Sequence, residues 1–259
     1  MMMQALESSN ITRLRTAAGI AAVLASLMAI KMIAGMTRYP ANNDFHNGEI
    51  SGPVLALELA RNAEDLRDVL QTEHPGEALK QPRDIESLTA YRAVSALETN
   101  TIQDCGFIPL YSLFLAAMIG VFTSHAAKSR TRLAAWLLIA AVAALDYAEN
   151  IGIFRAIAAS SLSDEAAHAI RYPSLAKWAL LGVTLLVLGG AMILSPVAAM
   201  WESARKLLGM LFALTGLMLL MATLCPMWFS WATQLFALLV ILSACGLLAP
   251  FFRVIIHRS

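Results

Sequence analysis

Six stretches of predominantly apolar residues constrain what this 259-residue chain can fold into. A helix rises about 1.5 Å per residue, so about 20 apolar residues cross the hydrocarbon core of a bilayer, which is about 30 Å thick. Hydrophobic residues make up 58% of the chain and charged residues 14%, which is atypical of a soluble domain. The sequence therefore predicts an all-α integral membrane bundle that forms a single membrane domain.

The predicted spans are residues 14–36, 105–122, 133–154, 175–194, 207–224 and 227–248. The first span has a second interpretation, because Arg13 and Arg15 before an apolar run also resemble a secretory signal peptide. Lys31 interrupts that run, and no clear A-x-A cleavage site follows. The sequence leaves both interpretations open, and cleavage would leave five spans with an outward N-terminus.

Basic residues beside the short connections predict the orientation, because the cytoplasmic flanks of spans carry an excess of Lys and Arg. In a six-span chain these residues all fall on one side: Arg13, Arg15, Lys128, Arg130, Arg132, Arg205, Lys206, Arg253 and Arg258. Tryptophans favour the headgroup levels. They give the same orientation, with Trp136 and Trp201 inside and Trp178, Trp228 and Trp231 outside. We therefore expect a bacterial inner-membrane protein with both termini in the cytoplasm.

Residues 37–101 form a polar insertion that this orientation places outside the membrane. Apolar residues recur at helical spacing between Pro53 and Glu73, which predicts one amphipathic helix. Ser51 is its candidate N-cap, and residues 74–76, with the sequence His-Pro-Gly, are its stop signal.

A second helical pattern in the insertion begins after Asp84, another candidate N-cap, and leads toward the second span. It is expected to continue into the membrane as one long helix with a kink near Gly106 and Pro109. About 65 residues with Gly and Pro breaks make a poor independent core. The insertion is therefore expected to form a helical cap over the outer ends of the bundle.

Ionisable residues within or bordering the spans are the main functional signal, because intramembrane charges are costly and tend to face the bundle interior. Counting residues from the cytoplasmic ends places five of them at a common depth of about 20 to 28 Å. These five are Lys31, Asp104, Asp146, Glu149 and Lys177.

Asp146, Glu149 and Asn150 also share one helical face, since residues three and four apart are neighbours. Two acids on one face in a low-dielectric layer require a proton or a positive charge. Lys177, Lys31, a bound cation or a cationic substrate are the candidates, and the sequence does not choose among them.

The charged residues predict an outer-leaflet pocket that binds or passes a small polar, ionic or lipidic ligand. Asp146 and Glu149 would hold a cation or proton, with Asn150 orienting the ligand. Lys177 would supply a counter-charge or contact an anionic headgroup, and Asp104 would act as a gate or second acid.

Other interpretations compete with this pocket. The acidic pair Asp146 and Glu149 could instead lock helices together, and Lys31, Asp104 and Lys177 could reach water at the interface. A second function class is an intramembrane enzyme that uses the acidic pair as general acid and base on a lipid. A third is a scaffold without chemistry. Of these classes the sequence favours a binding role over an enzyme.

Several functions are excluded or disfavoured by composition. A formal net charge of +1 gives no basic excess for nucleic acid. None of the five histidines lies in a predicted span, and phosphate-loop, zinc-hydrolase and nucleophile-elbow motifs are missing, so no metal or cofactor is expected. Two of the three cysteines, Cys105 and Cys225, lie near the outer face, where a disulfide is conceivable but not indicated by spacing.

Four short motifs together resemble a family of uncharacterised bacterial multi-pass membrane proteins over about residues 53–195. The motifs are Leu57-Glu58-Leu59-Ala60-Arg61, then Asp104-Cys-Gly-Phe107-Ile108-Pro109-Leu-Tyr111, then Leu145-Asp146-x-x-Glu149-Asn150, and finally Ala176-Lys177-Trp178. The resemblance implies a bacterial inner membrane and a common pattern for the D-x-x-E-N face, Asp104 and Lys177. It implies no activity.

Overall fold

The fold is given by a computed structural model that describes residues 2–36, 39, 52–80, 84–123, 129–195, 202–225 and 227–256. Four residues named in the sequence analysis lie outside the described residues: Ser51, Lys128, Trp201 and Arg258. Within the described part, helices account for nearly all of the chain.

The helices are α1 (Met2–Gly35), α2 (Pro53–Glu58), α3 (Ala63–Leu70), α4 (Pro75–Ala78), α5 (Ile85–Thr123), α6 (Ser129–Ala158), α7 (Asp164–Leu194), α8 (Glu202–Ala222) and α9 (Met227–Ile256). Six helices of the described part, α1 and α5 to α9, are long and apolar enough to cross a membrane. The predicted all-α bundle of about six spans is confirmed.

The six long helices pack as a closed ring. Each of α5, α6, α7 and α8 contacts the next helix in the chain, and α1 contacts both α5 and α9. On α1 the buried face consists of alanines, including Ala18, Ala22 and Ala25. Small residues let membrane helices approach closely, so this alanine face sets how α1 is rotated in the ring.

Glycines bring α7 and α8 into backbone contact at two levels. A Cβ on Gly182 would lie 2.8 Å from the carbonyl oxygen of Gly216, and one on Gly189 would lie 2.5 Å from that of Gly209. The glycines of each pair are seven residues apart in both helices, so the two pairs lie on one seam of the antiparallel helices. This seam fixes the position of α7, which carries Lys177.

The helix α5 begins where the sequence predicts and runs through the insertion into the bundle. The Ser87 backbone N–H donates to Asp84 Oδ1 at 2.7 Å, which lowers the pKa of this N-cap carboxyl. Pro109 lies inside the helix without ending it.

The amphipathic helix predicted over residues 53–73 is wrong as a single element, because the chain breaks it into α2 and α3. Asn62 caps α3 by accepting a hydrogen bond from the Asp65 backbone N–H at 2.9 Å. In return the Asp65 carboxylate accepts the Arg61 backbone N–H at 2.7 Å. This reciprocal cap ends the first helix early and turns the chain between α2 and α3.

The predicted helical cap is confirmed, and it lies on one end of the bundle. The apolar side chains of α2 and α3 are buried, among them Leu57 and Leu66. Hydrogen bonds join the cap to the turn between α6 and α7, including Gly76 N–H to Ala159 O at 3.0 Å. The cap thereby brings α2 to the end of the bundle at which the acidic residues lie.

Candidate functional site

Lys177 forms the centre of a buried charged cluster between α6 and α7. Its side chain is buried, and its Nζ lies 2.9 Å from Asp146 Oδ1. The same Nζ lies 2.9 Å from Glu149 Oε1 and 2.8 Å from Glu149 Oε2. Because both acids come from one face of α6, a single ammonium contacts them together.

Two hydroxyl groups complete the contacts of these acids. Tyr111 of α5 donates to Asp146 Oδ2 at 2.7 Å, and Ser174 of α7 donates to Glu149 Oε2 at 2.5 Å. All four carboxylate oxygens of Asp146 and Glu149 therefore already have partners. These bonds hold three helices together at one level.

The cap contributes a third acid to the cluster. Glu58 at the end of α2 lies with its Oε1 3.6 Å from the Lys177 ammonium. Its Oε2 accepts a hydrogen bond from Trp178 Nε1 at 2.9 Å. An ammonium has three N–H donors, and two of them donate to Asp146 Oδ1 and Glu149 Oε1. At 3.6 Å, Glu58 forms an ion pair with Lys177 but lies beyond hydrogen-bond distance.

Asp104 of α5 supplies the fourth acid, and it faces α6. Its Oδ2 accepts a hydrogen bond from Asn150 Nδ2 at 2.8 Å, and the same amide lies 3.6 Å from Cys105 Sγ. Its other oxygen, Oδ1, has no hydrogen-bond partner among the described residues. Asp104, like Glu58, therefore has one carboxylate oxygen without a hydrogen bond among the described residues.

We call Glu58, Asp104, Asp146, Glu149 and Lys177 the charged cluster. Its four carboxyl groups face a single ammonium within the described part of the chain. With every group ionised, its formal charge would be −3. Uncompensated charge of this size is costly in a low-dielectric setting, so the cluster attracts positive charge.

A cavity of about 260 Å³ adjoins the charged cluster. Acids at its wall are Glu58, Asp104 and Asp146, whereas Glu149 does not line it. The remaining wall is mostly apolar and comes from α1, α5, α7 and α9. Its aromatic members are Phe107, Tyr111, Trp178 and Phe236.

A second cavity of about 420 Å³ lies on the cap side of the first one. The two cavities share Ile33, Glu58, Trp178 and Thr233 in their walls. The Glu58–Trp178 hydrogen bond therefore lies where the two cavities meet.

The structure brings together five of the six residues predicted for the site: Asp104, Asp146, Glu149, Asn150 and Lys177. Lys31 does not join them. It is exposed and lines a separate cavity of about 410 Å³ between α1 and α5, together with Arg92.

Four residues of the site were not identified from the sequence. Glu58 and Tyr111 occur only in the resemblance motifs, which give them no role, and Trp178 is predicted only to lie at the headgroup level. Ser174 was not singled out. Spacing could have indicated two of them, because Ser174 lies three residues before Lys177 and Tyr111 seven after Asp104, on the same helical faces.

The described part of the chain contains neither a disulfide nor a cluster of metal-ligating side chains. Its His, Cys, Asp and Glu residues form no group of three that could hold a metal ion. Cys105, Cys225 and Cys245 are free thiols, so Cys105 and Cys225 are not paired.

Six apolar helices and an acid-rich cluster beside a cavity define a multi-pass helical membrane protein with a buried polar site. Comparison with protein-family models, curated proteins and solved structures gives no match to the chain. The function is therefore inferred from the geometry of the site.

Proposed function

We propose that this protein binds a small organic cation, an ammonium compound, in the cavity beside the charged cluster. The observation that carries the proposal is the imbalance between four carboxyl groups and one ammonium in the charged cluster. In this proposal the protein lies in a bacterial inner membrane with cytoplasmic termini, and passage of the ligand would begin with this binding step.

The contacts within the cluster favour a cation over an anion. Three carboxyl groups, those of Glu58, Asp146 and Glu149, already lie within 3.6 Å of the Lys177 ammonium, so an anionic headgroup would meet like charge there. Asp104 Oδ1 and the cavity face of Glu58 are the acceptors that remain for a ligand. These contacts change the roles expected from the sequence. Lys177 positions Asp146 and Glu149, whereas Asp104 and Glu58 contact the cation.

The size and the walls of the cavity narrow the ligand class. Ligand pockets range from about 300 to 1,000 Å³, so a cavity of about 260 Å³ suits a small molecule. Aromatic rings attract cations, and the Lys177 ammonium itself lies 4.8 Å from the centre of the Trp178 ring. Trp178, Tyr111 and the apolar wall therefore suit a ligand with a positive head and an apolar body.

An enzyme that uses Asp146 and Glu149 as acid and base is less well supported. A general base must be able to accept a proton from substrate. Here the oxygens of both acids accept hydrogen bonds from Lys177, Tyr111 and Ser174. Glu149 also has no face on the cavity, so it would not reach a substrate there.

A scaffold without a ligand is also less well supported. It would require an exposed apolar groove on the 53–73 segment, whose large apolar side chains Leu57, Leu66 and Leu70 are instead buried against the bundle. It would also require carboxylates fully neutralised by lysine, and Glu58 and Asp104 are not.

Replacing Asp104 tests the proposed binding site. Wild-type protein in lipid nanodiscs is expected to bind 2-phenylethylammonium, and Asp104→Asn is expected to weaken this binding by about 10- to 150-fold. The range corresponds to the loss of one hydrogen bond to a charged group, about 1.5 to 3 kcal/mol. Isothermal titration calorimetry measures both affinities.

The control for this test is Glu98→Gln, which neutralises another acid of α5 that does not line the cavity. We expect its affinity to stay within about threefold of wild type. Failure of the wild type to bind the amine, or equal losses in both variants, would contradict the proposal.

Cysteine labelling tests the proposed orientation. In a chain whose native cysteines are replaced by alanine, Glu77→Cys reports on the cap and Lys206→Cys on the start of α8. Both positions are exposed, with Glu77 63% and Lys206 47% accessible in their side chains. A membrane-impermeant maleimide should label the first in intact spheroplasts and the second only after lysis. The reverse pattern would overturn the orientation.

A further inference from the structure

The mouth of the cavity opens toward lipid. Four of its wall residues are exposed, and these are Ile30 and Ile33 of α1 and Ala237 and Ile241 of α9. All other wall residues are buried or half-buried. The opening therefore lies at the seam between α1 and α9.

The side chains at this seam suit a hydrocarbon chain. Ile30, Ile33 and Ile241 are 58%, 70% and 43% exposed, which is where lipid tails would lie against the bundle. The acids of the wall belong to α2, α5 and α6, which are not the helices that form the mouth. The cavity thus combines a charged wall with an apolar opening on the outer face of the bundle.

We infer that the natural ligand is a single-chain amphiphile with an ammonium head, whose hydrocarbon tail leaves the cavity between α1 and α9 into the surrounding lipid. This inference rests on the proposed function and names the substrate class of the same site. The head would contact Asp104 and Glu58, and the tail would pass Ile241.

A tail that leaves through the seam has a distinct energetic signature. Lipid tails are as apolar as aliphatic side chains. The transfer free energy of a ligand tail that stays in the bilayer therefore changes little when the head binds. Affinity measured per mole fraction of amine in the bilayer should therefore depend only weakly on chain length. A closed cavity of about 260 Å³ would instead reject a chain too long for it to enclose.

The test compares hexylammonium and hexadecylammonium with wild-type protein in nanodiscs, using radiolabelled amines in a scintillation proximity assay. The two affinities per mole fraction in the bilayer are expected to agree within about threefold. If 2-phenylethylammonium and hexylammonium bind but hexadecylammonium binds at least about tenfold more weakly, the tail exit is wrong while the cation site stands. If none of the three amines binds, the proposed function itself fails.

A matched pair of variants locates the exit. Ile241 and Leu242 are neighbours on α9 with 43% and 44% exposure, but only Ile241 lines the cavity. Ile241→Trp should narrow the mouth, lowering hexadecylammonium affinity at least about tenfold and leaving hexylammonium within about threefold. Leu242→Trp should change neither affinity by more than about threefold. Equal effects of the two variants on hexadecylammonium would overturn the exit between α1 and α9.

Discussion

Replacing Lys177 with methionine should lower the free energy of unfolding by about 3 to 5 kcal/mol, because it leaves Asp146 and Glu149 buried without their shared ammonium. Methionine retains most of the length and apolar body of the lysine side chain, so the loss reports mainly on charge. Thermal unfolding in detergent and the yield of membrane-inserted protein measure the effect.

A rescue variant separates charge from packing. Adding Asp146→Asn and Glu149→Gln to Lys177→Met removes the uncompensated charges and should restore most of the lost stability. Lys206→Met serves as the control, since it removes an exposed lysine paired with Glu202 at 2.6 Å. Such surface pairs contribute at most about 1 kcal/mol. If Lys177→Met and Lys206→Met lose the same stability, Lys177 is not the centre of the network.

The seam between α7 and α8 yields the second large effect. In Gly189→Ala the new methyl carbon would lie 2.5 Å from the Gly209 carbonyl oxygen and 2.8 Å from the Ala213 amide nitrogen. Both are backbone atoms, so the helices must move apart. We expect a loss of about 1 to 3 kcal/mol in the free energy of unfolding, which denaturant titration in mixed micelles measures.

The neighbouring glycine provides the control for the seam. A Cβ on Gly190 would have no heavy atom within 4 Å, so Gly190→Ala meets open space. Alanine has the higher helix propensity, by up to about 1 kcal/mol, so this variant should be neutral or slightly stabilising. Equal stability of the two alanine variants would show that the helices do not meet at Gly189.

Span positions and the depth of the charges could be predicted from the sequence because both depend on local quantities. Apolar length determines where a helix crosses the bilayer, and the rise per residue determines how deep each side chain lies. This was sufficient to group Asp104, Asp146 and Lys177, which come from three helices and lie together in the structure.

Lys31 shows the limit of depth counting, because depth does not determine which way a helix faces. The alanine face of α1 that includes Ala25 is buried in the ring, and Lys31 lies six residues further along. Six residues correspond to a rotation about 120° away from that face. The packing of α1 therefore turns Lys31 outward. The residues that flank Lys31 in the sequence do not indicate this orientation.

Glu58 could not be placed from the sequence because its position depends on the tertiary structure of the cap. Within one continuous amphipathic helix it belongs to the polar face. The reciprocal cap around Asn62 and Asp65 instead breaks the segment, and α2 docks with Glu58 against Trp178. Such a break is a competition between local capping and helix continuation, and the periodicity of apolar residues does not decide it.

Selection of ligands by charge tests the central claim most directly. Three compounds of similar shape, 2-phenylethylammonium, 2-phenylethanol and phenylacetate, carry positive, zero and negative charge. The charged cluster predicts that the wild-type protein in nanodiscs binds the ammonium at least about tenfold more tightly than the alcohol, and the carboxylate least. Equal affinity for all three, or preference for the carboxylate, would contradict a cation site built on Asp104 and Glu58.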